Sequence, residues 1–218
     1  MMIAYRIACL IGGYFFGLFQ TSFIYGKLHG IDIREHGSGN AGTTNALRTL
    51  GPKAGIIVLL GDFLKCFIAC MIARVIFAKL APDAELLMML YTGFGVGLGH
   101  IFPFYMGFKG GKGIAVSAGI IVALLKPWIV LACALLFFGL LAITRYVSLC
   151  SIVLMFGMIA FYCIELFQNV FPIAPQYYVE SIIVLSVYAA MAIYMHRANI
   201  GRLLRHEENQ FSLHKSEK

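Results

Sequence analysis

The chain has 218 residues, 61% of them hydrophobic and only 12% charged, with a mean hydropathy of +0.86. A water-soluble domain of that length has too little interior for so much apolar surface, so the composition points to a single polytopic membrane domain. The formal charge of +7 suits anionic lipid or anionic substrates, and no nucleic acid partner is expected.

Crossing the hydrocarbon takes about 20 apolar residues per helix. The apolar runs predict an all-α bundle of seven transmembrane helices at 3–25, 54–79, 85–106, 113–126, 128–145, 147–168 and 177–196. The first run has no small-x-small cleavage site before Lys27 and is longer than a signal-peptide core, so it reads as a retained helix. After it comes GSGNAGTTNALRTLG, Gly37–Gly51, with no large apolar side chain until Leu47. Glycines there can aim successive backbone N–H groups at one anion, and Arg48 can close on it with a bidentate fork. Gly37, Ser38, Gly39, Asn40, Gly42, Thr44 and Asn45 are the candidate ligands beside Arg48.

In the second helix Asp62 and Lys65 are three apart and can pair on one face, more as a tie between helices than as chemistry. Gly93, Gly95, Gly97 and Gly99 in the third predict close helix contact. That helix is expected to break near Pro103, before Phe108–Gly113 (FKGGKG) leads into the fourth. Lys109, Gly110, Gly111, Lys112 and Gly113 thus precede a helix N-terminus, a second place suited to an anion. The spacing is not that of a Walker A loop, and Gly113 stands where a magnesium-binding hydroxyl would be. The bland alternative is that both lysines only obey the positive-inside rule.

Arg145, Ser148 and Ser151 follow the fifth helix, and HRANIGRLLRHEEN (His196–Asn209) follows the seventh. His196 and Asn199 share a helical face leading to Arg202. Asn199 could equally be a cap, while Arg205, Lys215 and Lys218 suit a basic tail on anionic lipid. The division expected is a membrane domain, 1–200, and a cytoplasmic tail, 201–218. Most Lys and Arg fall on the side of the three polar segments, which places the C-terminus in the cytoplasm and the N-terminus outside. The six cysteines lie singly in apolar helices without C-x-x-C spacing, so neither a disulfide nor a metal site is expected.

No G-x-S-x-G elbow, no H-x-x-x-x-D pair and no aspartate-rich metal motif occurs. A carrier or channel for phosphate-bearing solutes remains an alternative to an enzyme, since glycine breaks and helix N-termini also serve transporters. Against it, the polar segments share one side and no internal duplication is apparent.

Taken in order, the three segments resemble the bacterial PlsY family of acyl-phosphate-dependent glycerol-3-phosphate acyltransferases. The first motif of that family is matched by Ser38, Gly39, Asn40, Gly42, Thr44, Asn45 and Arg48. The second is matched by Gly99, His100, Pro103 and Phe108 through Gly113. The third is matched by His196, Arg197, Asn199, Ile200, Arg202, Leu203 and Glu208. Ala41 stands where proline is frequent, Thr43 where alanine is frequent, and His206 where glycine is common.

The resemblance implies a multi-pass enzyme of the bacterial inner membrane with a cytoplasmic active site. It implies acyl transfer from acyl phosphate to the sn-1 hydroxyl of glycerol 3-phosphate, without cofactor or metal. It points to Ser38, Arg48, Lys112, Asn199 and His196 as catalytic. Gly37, Gly39, Asn40, Gly42, Thr44, Asn45, Lys109, Gly110, Gly111, Gly113, Ser148, Arg202 and Glu208 are then expected to bind substrate. His196 and His100 are possible bases, whereas the resemblance favours an oxygen of the acyl phosphate itself.

Overall fold

The computed structural model describes residues 1–168 and 173–211; Lys215 and Lys218 of the expected lipid-binding tail lie outside the described residues. Among the described residues there are no strands. The α-helices are α1 (Met2–Gly17), α2 (Thr21–Leu28), α3 (Thr43–Leu50), α4 (Pro52–Leu80), α5 (Glu85–Ile101), α6 (Ile114–Leu124), α7 (Pro127–Thr144), α8 (Val147–Phe167), α9 (Tyr178–Met195) and α10 (Arg197–Leu204).

Among the described residues six stretches are long and apolar enough to cross a membrane: Met2–Leu28, Pro52–Leu80, Pro82–Met106, Pro127–Thr144, Val147–Phe167 and Pro175–Met195. The run expected to cross at 113–126 forms α6, which has only 11 residues. Such a helix rises about 16 Å, against a hydrocarbon core about 30 Å thick. It sits inside the bundle, where a Cβ on Gly119 would lie 2.8 Å from the Phe63 carbonyl oxygen of α4.

The outer faces are apolar, as a lipid solvent demands. Ile56, Leu60, Leu64, Ile68 and Ile72 line the exposed side of α4, and Leu131, Leu135 and Phe138 that of α7. The centre is α5, nearly all of whose residues are buried against α1, α4, α6 and α9. Two glycines on each of α1 and α5 let their backbones touch. A Cβ on Gly17 would lie 2.2 Å from the Val96 carbonyl oxygen, and one on Gly99 would lie 2.1 Å from that of Tyr14. This is the expected use of the α5 glycines, with Gly13 and Gly17 as their counterparts. Gly97 instead makes room for the Tyr188 ring of α9.

The contacts show that α1, α5 and α9 run parallel. At their N-terminal ends Arg6 makes a bidentate pair with Glu180, at 2.5 and 2.6 Å, and Tyr91 donates to the same carboxylate at 2.7 Å. Their C-terminal ends therefore gather at the other end of the bundle, and each leads into one of the three polar segments. There α5 stops at Ile101 and a 3₁₀ turn, Phe104–Met106, follows Pro103, so the break falls where the proline predicts. The α1–α2 break is bridged by Gln20, whose amide donates to the carbonyls of Gly17, Gly99 and His100 at 3.2, 3.3 and 2.9 Å.

Gly99→Ala should separate α1 from α5, because the obstructing atom is a backbone oxygen that cannot turn aside. A loss of about 1–3 kcal/mol is expected, read as a lower Tm in detergent. Gly12→Ala, with nothing within 4 Å of its added Cβ, should leave the Tm unchanged.

Candidate active site

The first polar segment is organised around Asn45 in the first turn of α3. Its Oδ1 accepts the Ser38 amide at 2.8 Å, and its Nδ2 donates to the carbonyls of Ile33 and His36 at 3.0 Å each. A Cβ on Gly37 would lie 2.3 Å from Asn45 Oδ1, and Gly37 and Gly39 adopt φ values of +59° and +70°. The loop thus wraps tightly round a buried amide, as only glycine permits here. Asn45, expected as an anion ligand, has its side chain committed to this scaffold. Gly37 is likewise a space-maker and does not line the cleft described below.

The second segment docks on the end of α5. Gly110 and Gly111 donate their amides to the carbonyls of Ile101 and His100 at 3.1 Å each. Those N–H groups, expected to face an anion, are therefore already satisfied, and neither residue lines the cleft. Lys109 is exposed and also outside it. Gly113 adopts φ +86°, and its carbonyl accepts from Tyr188 at 2.7 Å and Ser117 at 2.9 Å. This turn starts α6 and points Lys112 the other way, toward α10.

The third segment meets it. Lys112 Nζ donates to Asn199 Oδ1. Asn199 Nδ2 donates to Glu208 Oε1 and Arg202 Nε to Glu208 Oε2, both at 2.9 Å. The tail can fold back because His206 takes φ +59° at the position where the resembled motif commonly carries glycine. A Cβ strains that conformation but does not forbid it. Phe211 then donates its amide to the Arg145 carbonyl at 2.7 Å. Arg145 itself is exposed and anchors the tail by its carbonyl and, at 3.4 Å, by its guanidinium on the Phe211 carbonyl.

These pieces enclose a cleft of ≈ 680 Å³. Ser38, Gly39, Asn40, Gly42, Thr44, Asn45, Arg48, Lys112, Gly113, Ser148, His196, Asn199, Arg202 and Glu208 all line it, together with Asp62 and His100. The first residues of α6, Ile114 and Ala115, line it too. The missed part is its apolar wall: Leu47, Ile56 and Leu59 on one side, Phe137, Phe138 and Leu141 on the other. Nothing in the sequence separates these from ordinary lipid-facing residues. Tyr188 was also missed, since its partners Gly97 and Gly113 are far away in the chain.

The electrostatics are unbalanced. Arg48, half-buried, has no side-chain hydrogen bond among the described residues; burial lowers its pKa, with Glu208 opposing and Arg202 adding. Lys112 is pulled down to about 8, chiefly by burial and then by Arg202, with Glu208 opposing and Arg48 adding. A carbonyl can only accept, so the 2.8 Å contact of His196 Nδ1 with the Ala192 oxygen puts the proton on Nδ1. His196 Nε2 is left with a lone pair. The Ser148 hydroxyl is buried without a partner among the described residues, whereas Ser151 bonds the Val147 carbonyl at 2.7 Å.

A family model described as glycerol-3-phosphate acyltransferase matches residues 7–206. A glycerol-3-phosphate acyltransferase of Bacillus cytotoxicus is 37% identical over 219 residues, covering 100% of both chains. The crystal structure of PlsY (YgiH), an integral membrane glycerol 3-phosphate acyltransferase, in its glycerol 3-phosphate form, superposes with a TM-score of 0.80. It is 35% identical, and the match covers 95% of this chain and 96% of that one. The lysophosphatidic acid form gives a TM-score of 0.78 at 34% identity, with the same coverage.

Asn45→Ala should loosen the first segment by removing three hydrogen bonds at once, at about 1 kcal/mol each. Hydrogen exchange at the Ser38 amide should speed up, while that in α5 stays slow.

Proposed function

Because the chain belongs to the glycerol-3-phosphate acyltransferase family, we propose that it transfers a fatty acyl group from acyl phosphate to the sn-1 hydroxyl of glycerol 3-phosphate. The products are lysophosphatidate and inorganic phosphate. The observation that carries this reading is the cleft itself: Arg48, Lys112 and Arg202 at its polar end, and an apolar wall between α4 and α7. Two phosphorylated reactants bring about four negative charges near neutral pH, and the cations outnumber Glu208 in wait for them. The acyl chain lies along Ile56, Leu59, Phe138 and Leu141, several of which face lipid. A donor dissolved in the bilayer can enter from that side.

Within this reading Arg48 and Ser38 hold glycerol 3-phosphate. Lys112 and the N-terminus of α6 hold the acyl phosphate head and the developing oxyanion. The lone Ser148 hydroxyl supplies a further hydrogen bond to phosphate. The sn-1 oxygen attacks the acyl carbon, an oxygen of the acyl phosphate takes its proton, and the C–O bond to phosphate breaks. An acyl phosphate is a mixed anhydride with a good leaving group, so positioning and charge stabilisation suffice without a covalent acyl-enzyme. His196 Nε2, an acceptor, takes a hydrogen bond from the other free hydroxyl of glycerol 3-phosphate and so orients that substrate.

We further propose that the chain passes seven times between the two ends of the bundle, with α6 and its flanks as the fourth pass, in one membrane domain over 1–200. The parallel run of α1, α5 and α9 supports that count. The cluster of Lys27, Arg34, Arg48, Lys53, Lys112, Arg197 and Arg202 at the cleft end supports a cytoplasmic cleft in the inner membrane.

Purified protein given palmitoyl phosphate and glycerol 3-phosphate should make lysophosphatidate, and should make none when acyl-CoA replaces the acyl phosphate. Arg48→Ala should raise KM for glycerol 3-phosphate, and Lys112→Ala for the acyl phosphate. If both variants raise KM for the same substrate, the division of roles is wrong. The lowered pKa of Lys112 makes it an ammonium below about 8 and a neutral amine above. Hence kcat/KM should fall as pH rises through that value, and Lys112→Arg should move the descending limb to higher pH.

A further inference from the structure

At the break between α1 and α2, three polar side chains of α4 and α5 meet inside the bundle, two of them, Asp62 and His100, at the lining of the cleft. Asp62, Lys65 and His100 are 1%, 6% and 2% exposed. Lys65 Nζ lies 2.7 Å from the Phe19 carbonyl oxygen, 2.8 Å from Asp62 Oδ1, 2.9 Å from His100 Nδ1 and 3.4 Å from the Gly17 carbonyl oxygen. Thr21 adds a hydrogen bond to Asp62 Oδ1 at 3.1 Å. An ammonium has only protons to give. His100 Nδ1 is therefore an acceptor, and the ring carries its proton on Nε2. The only other charged group near that nitrogen among the described residues is Asp62, whose Oδ1 is 3.8 Å away.

The opposite edge of the ring faces the second polar segment. A Cβ on Gly111 would lie 2.1 Å from His100 Nε2 and 2.7 Å from Cε1. The His100 carbonyl also accepts the Gly111 amide at 3.1 Å and the Gln20 amide at 2.9 Å. His100 thus seats Gly111 by both its ring and its main chain, and the next residue is Lys112. We propose that Asp62 and Lys65 are positioning residues. They hold His100 as the Nε2–H tautomer with its ring against Gly111, and this aims Lys112 into the cleft. An intramembrane ion pair expected more to tie helices than to do chemistry therefore acts on the reaction through a histidine and a glycine. The acyl-transfer reading enters only through the kinetic measurement below.

The test has two arms on the full chain in detergent. Nitrogen-15 spectra of histidine-labelled protein, with His100 identified by its loss in His100→Asn, should show the Nε2–H tautomer in the wild type. Lys65→Met should abolish that preference. If Lys65→Met fails to fold because Asp62 is left buried and unpaired, the wild-type spectrum still decides the tautomer. His100→Asn keeps an acceptor for Lys65 but removes the ring edge facing Gly111. It should lower kcat/KM by about ten- to a hundredfold. The same substitution should cost less than about twofold in a Lys112→Ala background, because residues acting through one group are not additive. An Nδ1–H tautomer in the wild type, or an equal loss in both backgrounds, overturns the proposal. A wild-type protein without acyl transfer would sink the functional reading instead, and the spectra alone would then decide this one.

Discussion

The backbone contact between α1 and α5 is the constraint on which the molecule depends. In lipid there is no hydrophobic gain from burying one apolar helix against another, so association rests on close packing and on polar groups that find partners. Gly13 and Gly17 on one helix and Gly95 and Gly99 on the other bring main chain against main chain. That approach places the end of α1 beside the end of α5, where Gln20 bridges the carbonyls of Gly17, Gly99 and His100. The chain can then leave α1 at an angle without stranding its backbone groups in the hydrocarbon. The same end of α5 receives the amides of Gly110 and Gly111. A helix seam thus determines where a loop bearing Lys112 can sit.

From that seam the cleft inherits its electrostatics. Arg48, Lys112 and Arg202 are carried by three segments far apart in sequence; of the two carboxylates lining the cleft, Glu208 pairs with Arg202 and Asp62 with Lys65. Partial burial makes each charge costly when the cleft is empty, which is why Lys112 is unusually acidic. An anion entering such a place meets Arg48, whose side chain has no hydrogen-bonding partner among the described residues, beside Lys112 and Arg202 already held in position by Asn199 and Glu208. The Glu208 carboxylate keeps Asn199 and Arg202 in position meanwhile, since it accepts from both. His196 and His100 face the same cleft with opposite tautomers, because one donates through Nδ1 to a carbonyl and the other accepts there from an ammonium.

Much of this could be read before any coordinates. The apolar runs announced the helices, and the α5 glycines announced close contact. The three polar islands announced a common cleft, and residues from all three line it. The Asp62–Lys65 pair is where a spacing of three predicts it. The short α6 was the weakest point of the helix count, because an apolar run looks the same whether it reaches across a bilayer or ends within the bundle. Inside the islands, residue type alone does not say which polar atoms stay free. Asn45, Gly37, Gly110 and Gly111 have the composition of ligands, yet their polar atoms or their missing Cβ atoms are used inward. A polar residue in a tight loop can hold the loop or hold a ligand, and its type does not say which.

What the sequence determined by itself was the solvent, the helical class, the sign of the charge at one end and the three segments that line the cleft. These follow from transfer free energies, local geometry and fixed charges, which are properties of residues and their near neighbours. Only the tertiary structure decided which donors stay free. It brought Tyr188 to Gly97 and Gly113, set Arg48 without a hydrogen-bonding partner, and folded the tail through a left-handed His206 so that Glu208 reaches Asn199. Those outcomes depend on which distant segments come into contact, and a hydrogen-bonding group is available to a substrate only when packing has left it without a partner in the chain.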